Sequence, residues 1–184
     1  MTRMLRFLFG ILIVAQTASA QGLADVDRKW ETYLMTRLEQ VQRDQSDTRV
    51  PFATDGCSGG MSEGWMYLAA AFPAFEKKFG TVPPWQACCV VHDRVYWAGD
   101  TDGGYDKRLA ADVELKQCVV QTGHDQSDVL SREWAVAAKD VEQAFAVSAE
   151  LMYAAVRVGG KPCSLFPWRW GYGWPLCPLL PSAE

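Results

Sequence analysis

Cys88-Cys89-Val90-Val91-His92-Asp93-Arg94-Val95-Tyr96 is the stretch on which the reading of this chain turns. Residues four apart share a helix face, so a helix from Trp85 to Trp97 lines Cys88, His92 and Tyr96 along one side. Cys89 and Asp93 fall on the neighbouring stripe. Such a helix is stapled at one end and carries a base, a carboxylate and a phenol just beyond the staple. Core packing alone gives no reason to collect those groups.

Working outward, Gly99 to Tyr105 is an acidic glycine loop, and a second helix capped near Asp106 runs to about Val120. If the two helices pack antiparallel across that loop, Asp112 faces His92. A histidine acts as a general base only when something fixes its tautomer and orientation, and Asp112 is the candidate. The plainer alternative is a surface aspartate paired with Arg108 or Lys116 at helical spacing. Cys118 lies on the same helix and could staple it to Cys88 or Cys89.

Upstream, Ala24 to Arg43 reads as an amphipathic helix, with Leu34, Leu38 and Val41 opposite Arg28, Lys29, Glu31 and Arg37. Gln45 to Thr54 is polar and turn-like, Glu63 to Phe72 is helical, and Pro73 ends or kinks that helix. Downstream, Gly123 to Asp128 reads as a polar loop. Leu130 to Arg157 forms one long helix or two shorter ones, stopped by Gly159-Gly160. No strand pattern or internal repeat stands out. The expected class is mainly α, stapled by disulfides, with two antiparallel central helices.

The N-terminus reads as a secretory signal. Arg3 and Arg6 precede the apolar run Phe7 to Ala15, and Ala18-Ser19-Ala20 suits cleavage. Residues 1–20 are therefore expected to be removed, leaving 21–184 as one domain, secreted or periplasmic. The formal net charge of −4 and the lack of a basic run argue against a nucleic-acid partner. All six cysteines follow the signal, an even number that in an exported chain points to disulfides. Zinc is the competing reading, but adjacent cysteines are poorly arranged to bind one metal.

Asp93, next to the candidate base, suits a hard cation such as calcium, which takes oxygen donors. Asp55 and the carbonyls around Gly56 could complete that site, because a glycine loop lets backbone oxygens turn inward. The alternative for Asp55-Gly56 is a plain turn. Asp100-x-Asp102-Gly103 lacks the later glutamate of a calcium-binding EF-hand and reads as solvated.

These motifs resemble the secreted phospholipase A2 superfamily, in its bacterial and fungal branch. The helix signature is Cys88 to Tyr96, the calcium-loop counterpart is Thr54-Asp55-Gly56-Cys57-Ser58, and Arg108 to Cys118 is similar to the second long helix. The resemblance covers roughly 52–120. It implies a phospholipase A2-like fold and calcium-dependent hydrolysis of the sn-2 ester of glycerophospholipids at a membrane surface. It implies His92 as the base, Asp112 as its orienter, Tyr96 as a hydrogen-bond partner of Asp112, and Asp93, Asp55 and Gly56 as calcium ligands. It also implies the pairs Cys57–Cys89 and Cys88–Cys118, leaving Cys163 to Cys177. Two departures stand out: Val95 replaces a usual cysteine, and the loop from Ser58 to Trp65 differs from the active bacterial pattern. A changed loop favours the alternative, a non-enzymatic module of the same fold that binds lipid, calcium or protein.

The tail 163–184 gathers Trp168, Trp170, Tyr172 and Trp174 with Arg169. Tryptophan suits the water–lipid boundary, so the rings could seat the protein on a membrane. They could equally form a satellite core around a Cys163–Cys177 loop. Trp65, Trp85 and Trp97 read as core or pocket lining, and His124 as exposed and idle.

Overall fold

Helical apolar spacing, punctuated by glycine and proline, sets the order of elements. The computed structural model describes the backbone of residues 2–54, 56 and 61–178, and the side chains of 24–54, 56 and 62–178. The elements are α1 (Thr2–Asp44), a 3₁₀ turn (Ser46–Thr48), α2 (Met61–Ala71), α3 (Pro73–Phe79), α4 (Gln86–Ala98), α5 (Gly104–Trp134) and α6 (Ala138–Gly159). Among the described residues there is no strand, and no helix is long and apolar enough to cross a membrane. The protein is mainly helical and disulfide-stapled.

Pro73 ends α2, as the sequence expects. It also opens α3 at a first-turn position, where its missing N–H costs nothing. The second central helix is capped at Gly103 rather than Asp106, and it does not stop near Val120. It continues through the supposed loop Gly123–Asp128 to Trp134, because Gly123 lies against Phe145 of α6 and any larger side chain would collide with that ring. The glycine serves close helix packing there, not a turn.

Contacts fix the helix directions. Along α4 and α5, Cys88 joins Cys118, His92 meets Asp112 and Tyr96 meets Arg108, so one helix advances as the other retreats. In the same way Lys116 pairs with Glu150 and His124 with Glu142, which sets α6 antiparallel to α5. One core cluster includes Trp85, Leu115, Val119, Trp134, Phe145 and Met152. Trp85 meets Phe145 edge-on at 5.3 Å and Trp65 at 5.5 Å, as the sequence expects of core tryptophans. The second cluster joins Met35, Leu38 and Val41 of α1 to Tyr96, Ala111 and Trp170.

The aromatic tail packs on the end of α4. A helix leaves its last four carbonyls without intrahelical partners. Here Gly171 N–H donates to Tyr96 O at 2.6 Å, Gly173 N–H to Trp97 O at 3.2 Å and Trp174 Nε1 to Ala98 O at 3.0 Å. Gly171 has φ +75, and a side chain there would strike Leu38. Trp170 is 0% exposed and lies edge-on to Tyr96 at 5.2 Å, so it is core and no membrane anchor. Trp168 stacks on Phe166 at 4.8 Å and is half-buried. The Cys163–Cys177 disulfide closes this loop. The tail also holds the segment leading to the glycine loop, through Val50 N–H to Gly173 O and Tyr172 Oη to Ala53 O.

Candidate functional site

The buried residues of α4 are Cys88, Cys89, His92, Asp93 and Tyr96, the two stripes read from the sequence. Cys88 is bonded to Cys118 with Cα atoms 5.7 Å apart, which ties the α4–α5 hairpin beside His92. Cys89 is also disulfide-bonded; its expected partner, Cys57, lies outside the described residues, as does Asp55.

His92 Nε2 lies 2.9 Å from Asp112 Oδ1, and Tyr96 Oη donates to the same oxygen at 2.6 Å. Asp112 is 0% exposed, which overturns the surface-aspartate alternative, although its pairing with Arg108 is present inside the protein. The other oxygen, Oδ2, accepts from Arg157 Nη1 at 2.9 Å and Arg108 Nη1 at 3.3 Å. A carboxylate offers about four lone-pair sites, so Asp112 is saturated. Burial alone would raise its pKa, but the His92 hydrogen bond and the Arg108 charge outweigh it and hold the carboxyl below its ordinary value. Facing an ionised acceptor, Nε2 carries the proton of neutral His92, which assigns Nδ1 as the free base. Burial would lower the His92 pKa, yet the Asp112 hydrogen bond and the Asp112 and Asp93 carboxylates raise it. Tyr96 is pushed well above a free phenol, first by burial and then by the Asp112 charge, so it stays a donor.

Asp93 lies on the Nδ1 side, with Oδ1 4.0 Å from that nitrogen. Thr54 Oγ1 donates to its other oxygen at 2.6 Å and accepts from Gly56 N–H at 3.1 Å. Gly56 is buried at φ +83, a conformation suited to glycine, so the turn is drawn against α4 as expected. Among the described residues Thr54 donates to Asp93 Oδ2, while Oδ1 faces the His92 ring. A largely buried carboxylate is a donor that a hard cation takes, although the described residues include no cluster of three metal-binding side chains.

Beside His92 a pocket of about 130 Å³ opens between α4 and α5. Val91, Val95, Ala111, Leu115 and the Cys88–Cys118 disulfide give it apolar walls, with Glu114 at the side. Trp97 is not in this pocket: its ring lies under the Arg49 guanidinium at 3.6 Å, and Nε1 donates to Val50 O. Asp100 pairs with Lys107, and exposed His124 faces Glu142 at 3.3 Å.

The sequence reading missed Glu31 and Arg157. The polar spacing of α1 puts Glu31 beside Arg28 and Lys29, but it is 0% exposed. It accepts from Arg108 Nε and Nη2 at 2.6 Å each and from Arg157 Nη2 at 3.1 Å. The spacing Glu31-Met35-Leu38 was the available signal, because it puts the glutamate on the buried stripe. Two carboxylates and two guanidiniums balance one another, as burial of charge requires.

No protein-family model matches the chain, and no curated protein or solved structure matches it.

Proposed function

We propose that the chain is an exported, calcium-dependent phospholipase A2-like hydrolase that cleaves the sn-2 ester of glycerophospholipids at a lipid surface. The observation that carries this reading is the 2.9 Å contact from His92 Nε2 to Asp112 Oδ1, which leaves Nδ1 free on the side of Asp93. The motif spacing and the apolar pocket beside His92 also support it. The pocket is too small for a whole lipid and suits the first carbons of an acyl chain.

In this reading Nδ1 of His92 takes a proton from water as the water oxygen attacks the ester carbonyl. Asp112 keeps the imidazole oriented and stabilises its cationic form. The imidazolium then returns the proton to the departing glycerol oxygen, giving a fatty acid and a lysophospholipid. Calcium held by Asp93, with Asp55 and the Gly56 carbonyl, would supply Lewis-acid polarisation of the carbonyl. Tyr96 and the two arginines hold Asp112 and take no proton.

The second reading is a non-enzymatic module of the same fold. It is favoured by the altered loop after Cys57. The test is fatty-acid release from phosphatidylglycerol and phosphatidylcholine vesicles, with calcium and with chelator. Calcium-dependent release supports the hydrolase. Calcium or vesicle binding without release supports the module.

A further inference from the structure

We propose that Arg157, held by Glu31, is a positioning residue that fixes Asp112 and thereby sets which nitrogen of His92 is the base. This deepens the hydrolase reading above and rests on it for its activity measurement, but its geometry stands apart.

Arg108 is the obvious partner of Asp112, one turn away on α5, yet it is already occupied. Its Nη1 carries two hydrogens and has three acceptors in reach: Tyr96 Oη at 2.9 Å, Val156 O at 2.9 Å and Asp112 Oδ2 at 3.3 Å. The longest of the three is the carboxylate. Arg157, from the last turn of α6, reaches the same oxygen at 2.9 Å. It is therefore the closer donor to Oδ2. Its other terminal nitrogen is engaged by Glu31 Oε2 at 3.1 Å, and Glu31 also grips Arg108 through both of its oxygens. The guanidinium fork is planar and rigid, so fixing one prong fixes the other. With Oδ2 held, Oδ1 stays turned toward His92 and Tyr96. Without it, Oδ2 keeps only the 3.3 Å contact from Arg108, and the orientation of Oδ1 that assigns the Nε2 proton is loosened. The device spans four helices: Glu31 on α1, His92 and Tyr96 on α4, Arg108 and Asp112 on α5, and Arg157 on α6.

The test uses the full protein with Arg157→Met, Arg157→Lys and the charge-balanced pair Glu31→Gln/Arg157→Met. Hydrolysis is measured on phosphatidylglycerol vesicles with calcium, and the His92 ring by ¹⁵N NMR at one fixed pH. The chain has two histidines, so a His124→Gln background assigns the signals. We expect Arg157→Met to lower kcat about 10²-fold, the loss typical of a misplaced reacting group, with KM unchanged. We expect its His92 signal to change from one Nε2–H tautomer to an exchanging mixture. Arg157→Lys should recover part of both, since it keeps the charge and one contact. The double variant should regain thermal stability but not kcat. If Arg157→Met does not fold, the double variant and Arg157→Lys carry the same comparison. The proposal is overturned if Arg157→Met keeps both the wild-type tautomer and kcat, or if the double variant regains kcat together with stability. If the tautomer collapses as expected but the wild type hydrolyses no phospholipid, the positioning role stands and the hydrolase reading falls.

Discussion

Glu31 and Arg108 face each other through two parallel hydrogen bonds of 2.6 Å, with neither side chain exposed to solvent. Bidentate carboxylate–guanidinium pairs are the stronger kind, and removing one partner from a buried pair strands the other charge. Glu31→Ala should therefore cost about 3–5 kcal/mol of stability, far more than loss of a surface pair. Urea unfolding of wild type and variant measures it. A loss below about 1 kcal/mol would mean that water reaches the arginines.

Substitution at His92 separates chemistry from folding. His92→Asn should reduce phospholipid hydrolysis by about 10²–10⁴-fold, with the helical circular dichroism signal retained. A variant as active as wild type would remove the imidazole from the mechanism.

Asp93→Asn should weaken calcium binding and hydrolysis together if the proposed cation sits on Asp93, because the amide is neutral and keeps only one oxygen acceptor. Isothermal titration beside the vesicle assay tests this. Unchanged calcium affinity would move the site away from Asp93.

The lowered pKa of Asp112 gives a pH signature. Its folded value lies below its unfolded one, so its contribution is full above about pH 4 and is lost as the pH falls through the folded value. Denaturant midpoints should therefore fall steeply below about pH 4, and Asp112→Asn should show a shallower fall. Parallel acid limbs would contradict this.

Replacing Cys163 and Cys177 together by serine opens a loop with a sequence separation of 14. A loop of that size corresponds to about 3 kcal/mol. The thermal midpoint should drop, and amide exchange should quicken at Gly171 and Gly173, whose N–H groups hold the end of α4. Unchanged exchange at those amides would separate the disulfide from the cap.

Much of α4 was legible in the sequence, because a period near four residues sorts Cys88, His92 and Tyr96 from Cys89 and Asp93 without knowledge of partners. The meeting of His92 with Asp112 needed the antiparallel hairpin as well as the spacing. The spacing of Glu31 to Met35 and Leu38 marks a buried position, but not the charge that matches it: Arg108 is 77 residues away, and local spacing cannot announce a partner at such a distance. Gly123 misled for a related reason. Glycine signals a turn by its backbone freedom, whereas here its missing side chain makes room for Phe145 of another helix. Cys57, the expected partner of Cys89, and Asp55, the expected ligand, fall outside the described residues.

The end of α4 is closed by Trp174, 76 residues beyond Ala98. A contact of that separation must offset the entropy of closing the chain between its ends. The helix that bears His92 is thus completed by a segment far from it along the chain. The Cys163–Cys177 disulfide closes the segment that caps this helix, so it bears on the helix although neither cysteine lies in it. A reduced chain carries every motif residue of 88–112 and yet lacks the covalent tie behind the segment that completes their helix, so a bond far down the chain bears on the geometry around His92.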